Sequence, residues 1–177
     1  SEVERVEKEI RDLSRKSNED LKRILDEARE LSKKSNEDTK RVLKETRDLL
    51  KEIADRLREV RDKRLKDRLR EDLRRILERH KKLSEEDKRK NDEVLRDLRR
   101  KLEELKRRNE KVRDDVEKKG LDEEVKKRVE ESLRENEKLL RTIAKEIEDL
   151  VRENRKVNED VNREVEKLVR ELEERIK

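Results

Sequence analysis

Asparagine recurs at an interval of eighteen residues in three separate stretches of the chain: Asn18 and Asn36, Asn91 and Asn109, Asn136 and Asn154. Eighteen residues make five whole turns of an undistorted α-helix, so each pair would project in one direction about 27 Å apart. Around these asparagines Leu, Ile and Val recur at spacings of three and four, which marks one apolar face on each of three long helices. A repeat of eighteen keeps 3.6 residues per turn and predicts nearly straight helices, whereas a strict heptad would impose a left-handed supercoil. The pattern specifies an all-α architecture and no chemistry.

Composition supports helices over disorder. Of 177 residues, 62% are Asp, Glu, Lys or Arg and only 27% are apolar, none of them aromatic. Disordered chains of that polarity are also rich in Pro, Gly and Ser, but this one has no Pro and a single Gly. Lys and Arg number 57 against 52 Asp and Glu, and the two signs interleave at nearly every turn. Opposite charges at i, i+3 or i, i+4 support a solvated helix by a few tenths of a kcal/mol each. The isoelectric point near 9.3 is thus a small remainder of large cancelling numbers.

The same composition excludes several function classes. A nucleic-acid surface needs basic residues gathered on one face, with aromatics where single strands stack, so no nucleic-acid partner is expected. Without cysteine there are no disulfides, zinc–thiolate sites or thiol nucleophiles. No apolar run approaches the ~20 residues that span a membrane, and a membrane-surface helix would carry Trp, Phe and a broad apolar face. Ser1-Glu2-Val3-Glu4 reads as a helix start and bears no resemblance to a signal peptide. The expectation is a soluble chain, cytoplasmic when expressed, with no membrane partner.

In the first stretch the inward positions read Val3, Val6, Ile10, Leu13, Ser17, Leu21, Ile24, Ala28, Leu31, Ser35, Val42, Leu49, Ile53, Leu57 and Val60. Leu65, Leu69, Leu73 and Ile76 do not continue that frame, which places a turn near residues 61–64. Lys118-Lys119-Gly120-Leu121-Asp122-Glu123-Glu124 reads as a helix end, a left-handed glycine and an N-cap followed by acidic residues. Ser84 and Asp87 stand in capping-box-like spacing, but Leu73, Asn91 and Asn109 keep the eighteen-residue phase across them. The reading is a single domain, 1–177, with helix 1 at about 1–61, helix 2 at about 65–119, kinked at 80–87 if anywhere, and helix 3 at about 122–177.

Facing residues of antiparallel helices have a constant sum, and Asn91 with Asn154 gives the same sum as Asn109 with Asn136. Parallel helices have a constant difference, shared by Asn18 with Asn136 and Asn36 with Asn154. The two rules together also bring Ala54, Leu73 and Leu172 to one level. The expected architecture is an elongated, nearly straight up-down-up three-helix bundle, with outer helices about 85–90 Å long at ~1.5 Å per residue.

Two polar layers follow. Ser14, Ser17, Asn18, Asn109 and Asn136 gather in one; Ser32, Ser35, Asn36, Thr39, Asn91, Asn154 and Asn158 gather in the next. Asn supplies two donors and a carbonyl acceptor, and Ser and Thr act in both roles, so complementary networks can form. Unpartnered they would cost about 1–3 kcal/mol apiece, whereas satisfied they penalise every wrong register. Asn91, Asn109, Asn136 and Asn154 occupy the stripe itself; Asn18 and Asn36 stand one step beside Ser17 and Ser35, either within the layer or at its solvated edge. His80, the sole histidine, falls by the facing rules near Thr46 and Asn162, where a third network or a partly exposed ring would fit.

No residue pattern supports catalysis, metal or cofactor binding. His80 has no positioned nucleophile or orienting carboxylate and no second ligand of the right kind. The carboxylates lie among Lys and Arg on a charged exterior, and the lone Gly120 ends a helix instead of cradling phosphate. A natural spectrin-like rod would carry aromatic core residues.

The eighteen-residue layers, Leu/Ile/Val core, Glu/Lys/Arg surface and Lys-Lys-Gly-Leu-Asp-Glu-Glu connection resemble de novo designed helical bundles with modular buried hydrogen-bond networks. The likeness covers the whole chain, although a Gly-free first connection departs from the usual loop chemistry. It implies a structural scaffold with no natural biochemical activity, no cofactor and no required partner. The alternative it implies is an oligomerisation or conformational-switch module, self-associating as a homo-oligomer, with a hinge near 61–64 or 80–84.

Overall fold

A computed structural model describes residues 2–177 of the chain. They form α1 (Glu2–Glu59), α2 (Lys63–Lys118) and α3 (Glu123–Ile176), with no strand among the described residues. Nothing within these helices interrupts the backbone hydrogen-bond ladder: proline is absent and the one glycine lies between α2 and α3. α2 runs unbroken through 80–87. Ser84 therefore sits in mid-helix with its hydroxyl free to act across the bundle.

The two connections solve the same problem differently. Between α1 and α2 only residues 60–62 leave the helix, fewer than the turn expected at 61–64, because Asp62 already caps α2. The Arg64 N–H donates to Asp62 Oδ1 at 3.3 Å, and the Lys66 N–H donates to the Asp62 carbonyl at 3.1 Å. An aspartate cap satisfies one of the free N–H groups at a helix start and contributes about 1 kcal/mol. No described non-glycine residue takes a positive φ, so this reversal needs no glycine.

Between α2 and α3, Gly120 adopts φ 60°, the left-handed region in which a Cβ is strained. A Cβ there would meet nothing within 4 Å, so the glycine serves the backbone angle and not a close approach. α3 then starts with the Lys126 N–H donating to the Asp122 carbonyl at 3.0 Å, and Glu123 and Glu124 in its first turn oppose the helix dipole.

The chain divides into two compact units. The first comprises the stretch ending at Glu30 together with Glu93–Leu150. Its α1 and α3 segments run parallel, since Glu7 pairs with Arg128 and Arg29 with Glu146. Its α2 segment runs opposite, since Asp20 meets Arg108 and Glu27 meets Lys101. One end is closed by Val6, Ile10, Val116, Val125, Val129 and Leu133. Leu21, Ile24, Leu98, Leu105, Ile143 and Ile147 are also buried in this unit.

The second unit comprises Leu31–Asp92 and Val151–Lys177. It has the same up-down-up sense: Arg47 pairs with Glu164 along parallel helices, and Arg56 with Asp72 across antiparallel ones. Its core joins Leu50, Ile53 and Leu57 of α1 to Leu69 and Leu73 of α2 and to Val165, Val169, Leu172 and Ile176 of α3. Each fully buried Leu, Ile or Val contributes about 1.5–3 kcal/mol. Ala54 is half-buried against this cluster, which also contains Leu73 and Leu172.

The inward stripe of α1 differs in part from the sequence reading. Leu43 and Leu50 are buried where Val42 and Leu49 were expected, and Ser32 is buried beside a half-buried Leu31. Each helix meets two neighbours, so its apolar face is two residues wide, and the flanking member of a pair cannot be told from the central one by spacing alone. Leu13, also expected inward, is 48% exposed, while Ser14 and Ser17 beside it are half-buried. Val3 and Leu65, near helix ends, are also exposed.

Candidate functional site

The chain's concentrated chemistry is its polar side chains inside the units. In the first unit Asn136, 3% exposed, joins all three helices. Its Oδ1 accepts from Ser17 Oγ of α1 at 3.0 Å and from Asn109 Nδ2 of α2 at 2.8 Å. Its Nδ2 donates to Asn18 Oδ1 of α1 at 2.9 Å. Asn109 is buried too, while Ser17 and Asn18 are half-buried. Asn136 thus uses both ends of its amide, and a shift of any helix by one residue would replace a member of the network by a charged neighbour such as Lys16, Glu19, Arg108, Glu110, Glu135 or Glu137.

The second unit holds a looser set. Ser32 Oγ of α1 donates to Asn154 Oδ1 of α3 at 3.2 Å, and Asn91 Nδ2 of α2 donates to Ser35 Oγ of α1. Asn91 and Asn154, expected within the stripe, are only half-buried. The buried places at this level belong to Ser32, Ser35 and Thr39 of α1, and the asparagines reach inward from the flanks. Each finds a separate serine. Ser14, Asn36 and Thr39 lie at their layers without a side-chain hydrogen bond to them.

A longer network surrounds His80, 3% exposed. Its Nε2 lies 2.9 Å from Asn162 Oδ1, and its Nδ1 lies 3.4 Å from Thr46 Oγ1. A carbonyl oxygen can only accept, so Nε2 donates to Asn162, while the Thr46 hydroxyl, which can donate or accept, pairs with Nδ1. Ser84 Oγ extends the set by donating to Asn158 Oδ1 at 3.1 Å and to Asn162 Oδ1 at 3.4 Å. Asn158 therefore belongs with His80, not with Asn154. Ser84 stood outside the expected layers, noted only for its capping-box-like spacing with Asp87, although the constant-sum rule sets it opposite the stretch of α3 that holds Asn162. Among the described residues, no side-chain nitrogen or oxygen that is wholly shut off from solvent lacks a partner.

The ionisable groups are used at the surface. Arg113 of α2 bridges two carboxylates of α3: its Nε lies 3.2 Å from Glu130 Oε2, and its Nη2 lies 2.9 Å from Glu137 Oε1. The hydrogen bond to Glu130 holds the guanidinium above its ordinary pKa, against the opposing effect of burial. Among the described residues, no group of three or more His, Cys, Asp or Glu could hold a metal ion, and no helix is long and apolar enough to cross a membrane.

Asp87 is the exception among the carboxylates. Desolvation, then the like charge of Asp38, raises its pKa above the ordinary 3.8, and Lys90 opposes the shift. A carboxyl whose folded pKa is raised favours folding below its unfolded pKa and loses that contribution as pH rises through the folded value. Asp87→Asn should therefore be more stable than the parent at pH 7. The advantage should vanish as the pH is lowered below 3.8, where both side chains are neutral. Urea midpoints at several pH values check this, and a pH-independent difference would remove the ionisation account.

Among solved structures the chain is similar to a computationally designed three-helix bundle, with 19% identity over 99% of this chain and 84% of that one and a TM-score of 0.40. No protein-family model matches it, and no curated protein matches it.

Proposed function

We propose that the protein is a designed structural scaffold without a natural biochemical activity, and that its Asn, Ser and Thr side chains serve to fix helix register. The observation that carries this reading is the Asn136 amide, which engages α1 and α2 at once through both of its ends. Aliphatic side chains pack acceptably in neighbouring registers, whereas a buried amide moved out of register loses its partners at a cost of about 1–3 kcal/mol each. The repetition of such groups at eighteen-residue intervals supports a deliberate origin. His80 fits the same use, because both ring nitrogens are engaged by the neutral side chains of Thr46 and Asn162.

The test is the number of conformations. The parent chain should give one set of backbone amide resonances, with slowly exchanging side-chain NH2 groups at Asn109 and Asn136. The Asn109→Leu/Asn136→Leu variant should give additional sets for residues of the first unit as neighbouring registers become populated. A single unshifted set outside the substituted positions would sink the register role.

A further inference from the structure

Beside the Asn109–Asn136 layer the first unit contains a cavity of about 170 Å³ lined by all three helices. We infer that it is a binding site for a small neutral hydroxyl compound, an alcohol or phenol of about seven non-hydrogen atoms; an apolar cavity of about 150 Å³ admits benzene.

The walls sort into a body and a head region. Ile10, Leu105, Val112 and Leu133 supply aliphatic surface, which fits the usual make-up of small-molecule sites, mostly apolar with a few placed polar groups. The polar part consists of Ser14, Ser17 and Ser132 with the two asparagines. Within it the donors are largely committed: Ser17 Oγ and Asn109 Nδ2 both serve Asn136 Oδ1. The Asn109 carbonyl oxygen and the Ser14 and Ser132 hydroxyls make no hydrogen bond within the chain. What this wall offers an incoming group is an amide acceptor together with hydroxyls that can donate or accept. A ligand O–H complements both, donating to the carbonyl and accepting from a serine.

A carboxylate is less suited, although Lys16 and Arg108 also line the cavity. An anionic oxygen carries no proton for the Asn109 carbonyl and would face its negative end. Arg108 is already directed to Asp20, at 3.9 Å, and its side chain is well solvated. The hydroxyl is therefore what distinguishes a good occupant from toluene on one side and benzoate on the other. The site stands whether or not the polar layers fix register.

The experiment is a titration of the full chain, labelled with nitrogen-15, with phenol, toluene and benzoate. Phenol should shift amides near residues 10–17, 105–112 and 132–136 saturably at about 1 mM, within reach of so small a ligand. Toluene and benzoate should bind at least about tenfold more weakly, the value of one lost buried hydrogen bond. Absence of saturable shifts with phenol, or equal binding of the three, would overturn the proposal. Ser14→Leu, which places aliphatic bulk at the cavity wall, should abolish the phenol shifts. Should that variant not fold, Ser14→Ala must at least narrow the preference for phenol over toluene, and an unchanged preference would count against the assigned head region.

Discussion

Replacing Asn136 alone by leucine should lower stability by about 1–3 kcal/mol, while replacing Asn109 and Asn136 together should restore the parent value or exceed it. The single change removes the acceptor of Ser17 and Asn109 and the donor to Asn18. Asn109, 7% exposed, is then left with a desolvated amide facing an aliphatic group. The double change removes that orphan as well, and the remaining Ser17 and Asn18 are half-buried and can turn to water. Two leucines at buried positions also add apolar burial. Chemical denaturation of the parent, both single variants and the double variant closes a cycle whose interaction energy should be clearly non-zero. Strict additivity of the two losses would mean that the asparagines do not act as a unit.

Leu73→Ala should be the more damaging single change, costing about 2–5 kcal/mol. Leu73 is 1% exposed within the cluster formed by all three helices of the second unit. Its neighbours belong to long helices that cannot close individually around a deleted isopropyl group, so most of the cavity should persist. The control is Leu65→Ala, a substitution of the same chemistry on the same helix. Leu65 is 43% exposed, and its loss should lie within about 0.5 kcal/mol of zero. Urea midpoints at constant m-value separate the two; equal effects would contradict the placement of the core.

Much of this architecture is legible because helix periodicity is a local property. The eighteen-residue interval matched Asn18 with Asn136 and Asn109 with Asn136, and the structure joins both pairs by hydrogen bonds. The same arithmetic applied to the second unit paired Asn36 and Asn91 with Asn154, and neither bond forms there. Ser32 reaches Asn154 instead, one turn before the expected partner. A facing rule gives the level along the axis to within about a turn, and side-chain length and rotamer choose the partner within that turn. Ser84 shows the opposite limit. Its capping-like spacing is a real local signal, but Leu83 and the unbroken phase of Leu73 and Asn91 outweigh it, and the hydroxyl turns across the bundle. Asp62 was hidden for a third reason: a cap without glycine or proline leaves no breaker in the sequence, only an aspartate among many.

Gly120 carries a final consequence, one of handedness. With φ 60° and nothing within 4 Å of a built Cβ, it is held to glycine only by the chirality of the other nineteen amino acids. A mirror-image alanine prefers that angle. In a chemically synthesised chain, D-alanine at position 120 would keep the reversal and remove freedom from the unfolded chain, adding about 0.4–1 kcal/mol. The reversal at residues 60–62, built wholly from negative φ, would be broken by the same exchange. One molecule therefore contains two helix reversals of opposite chiral preference, and a single inverted residue would tell them apart.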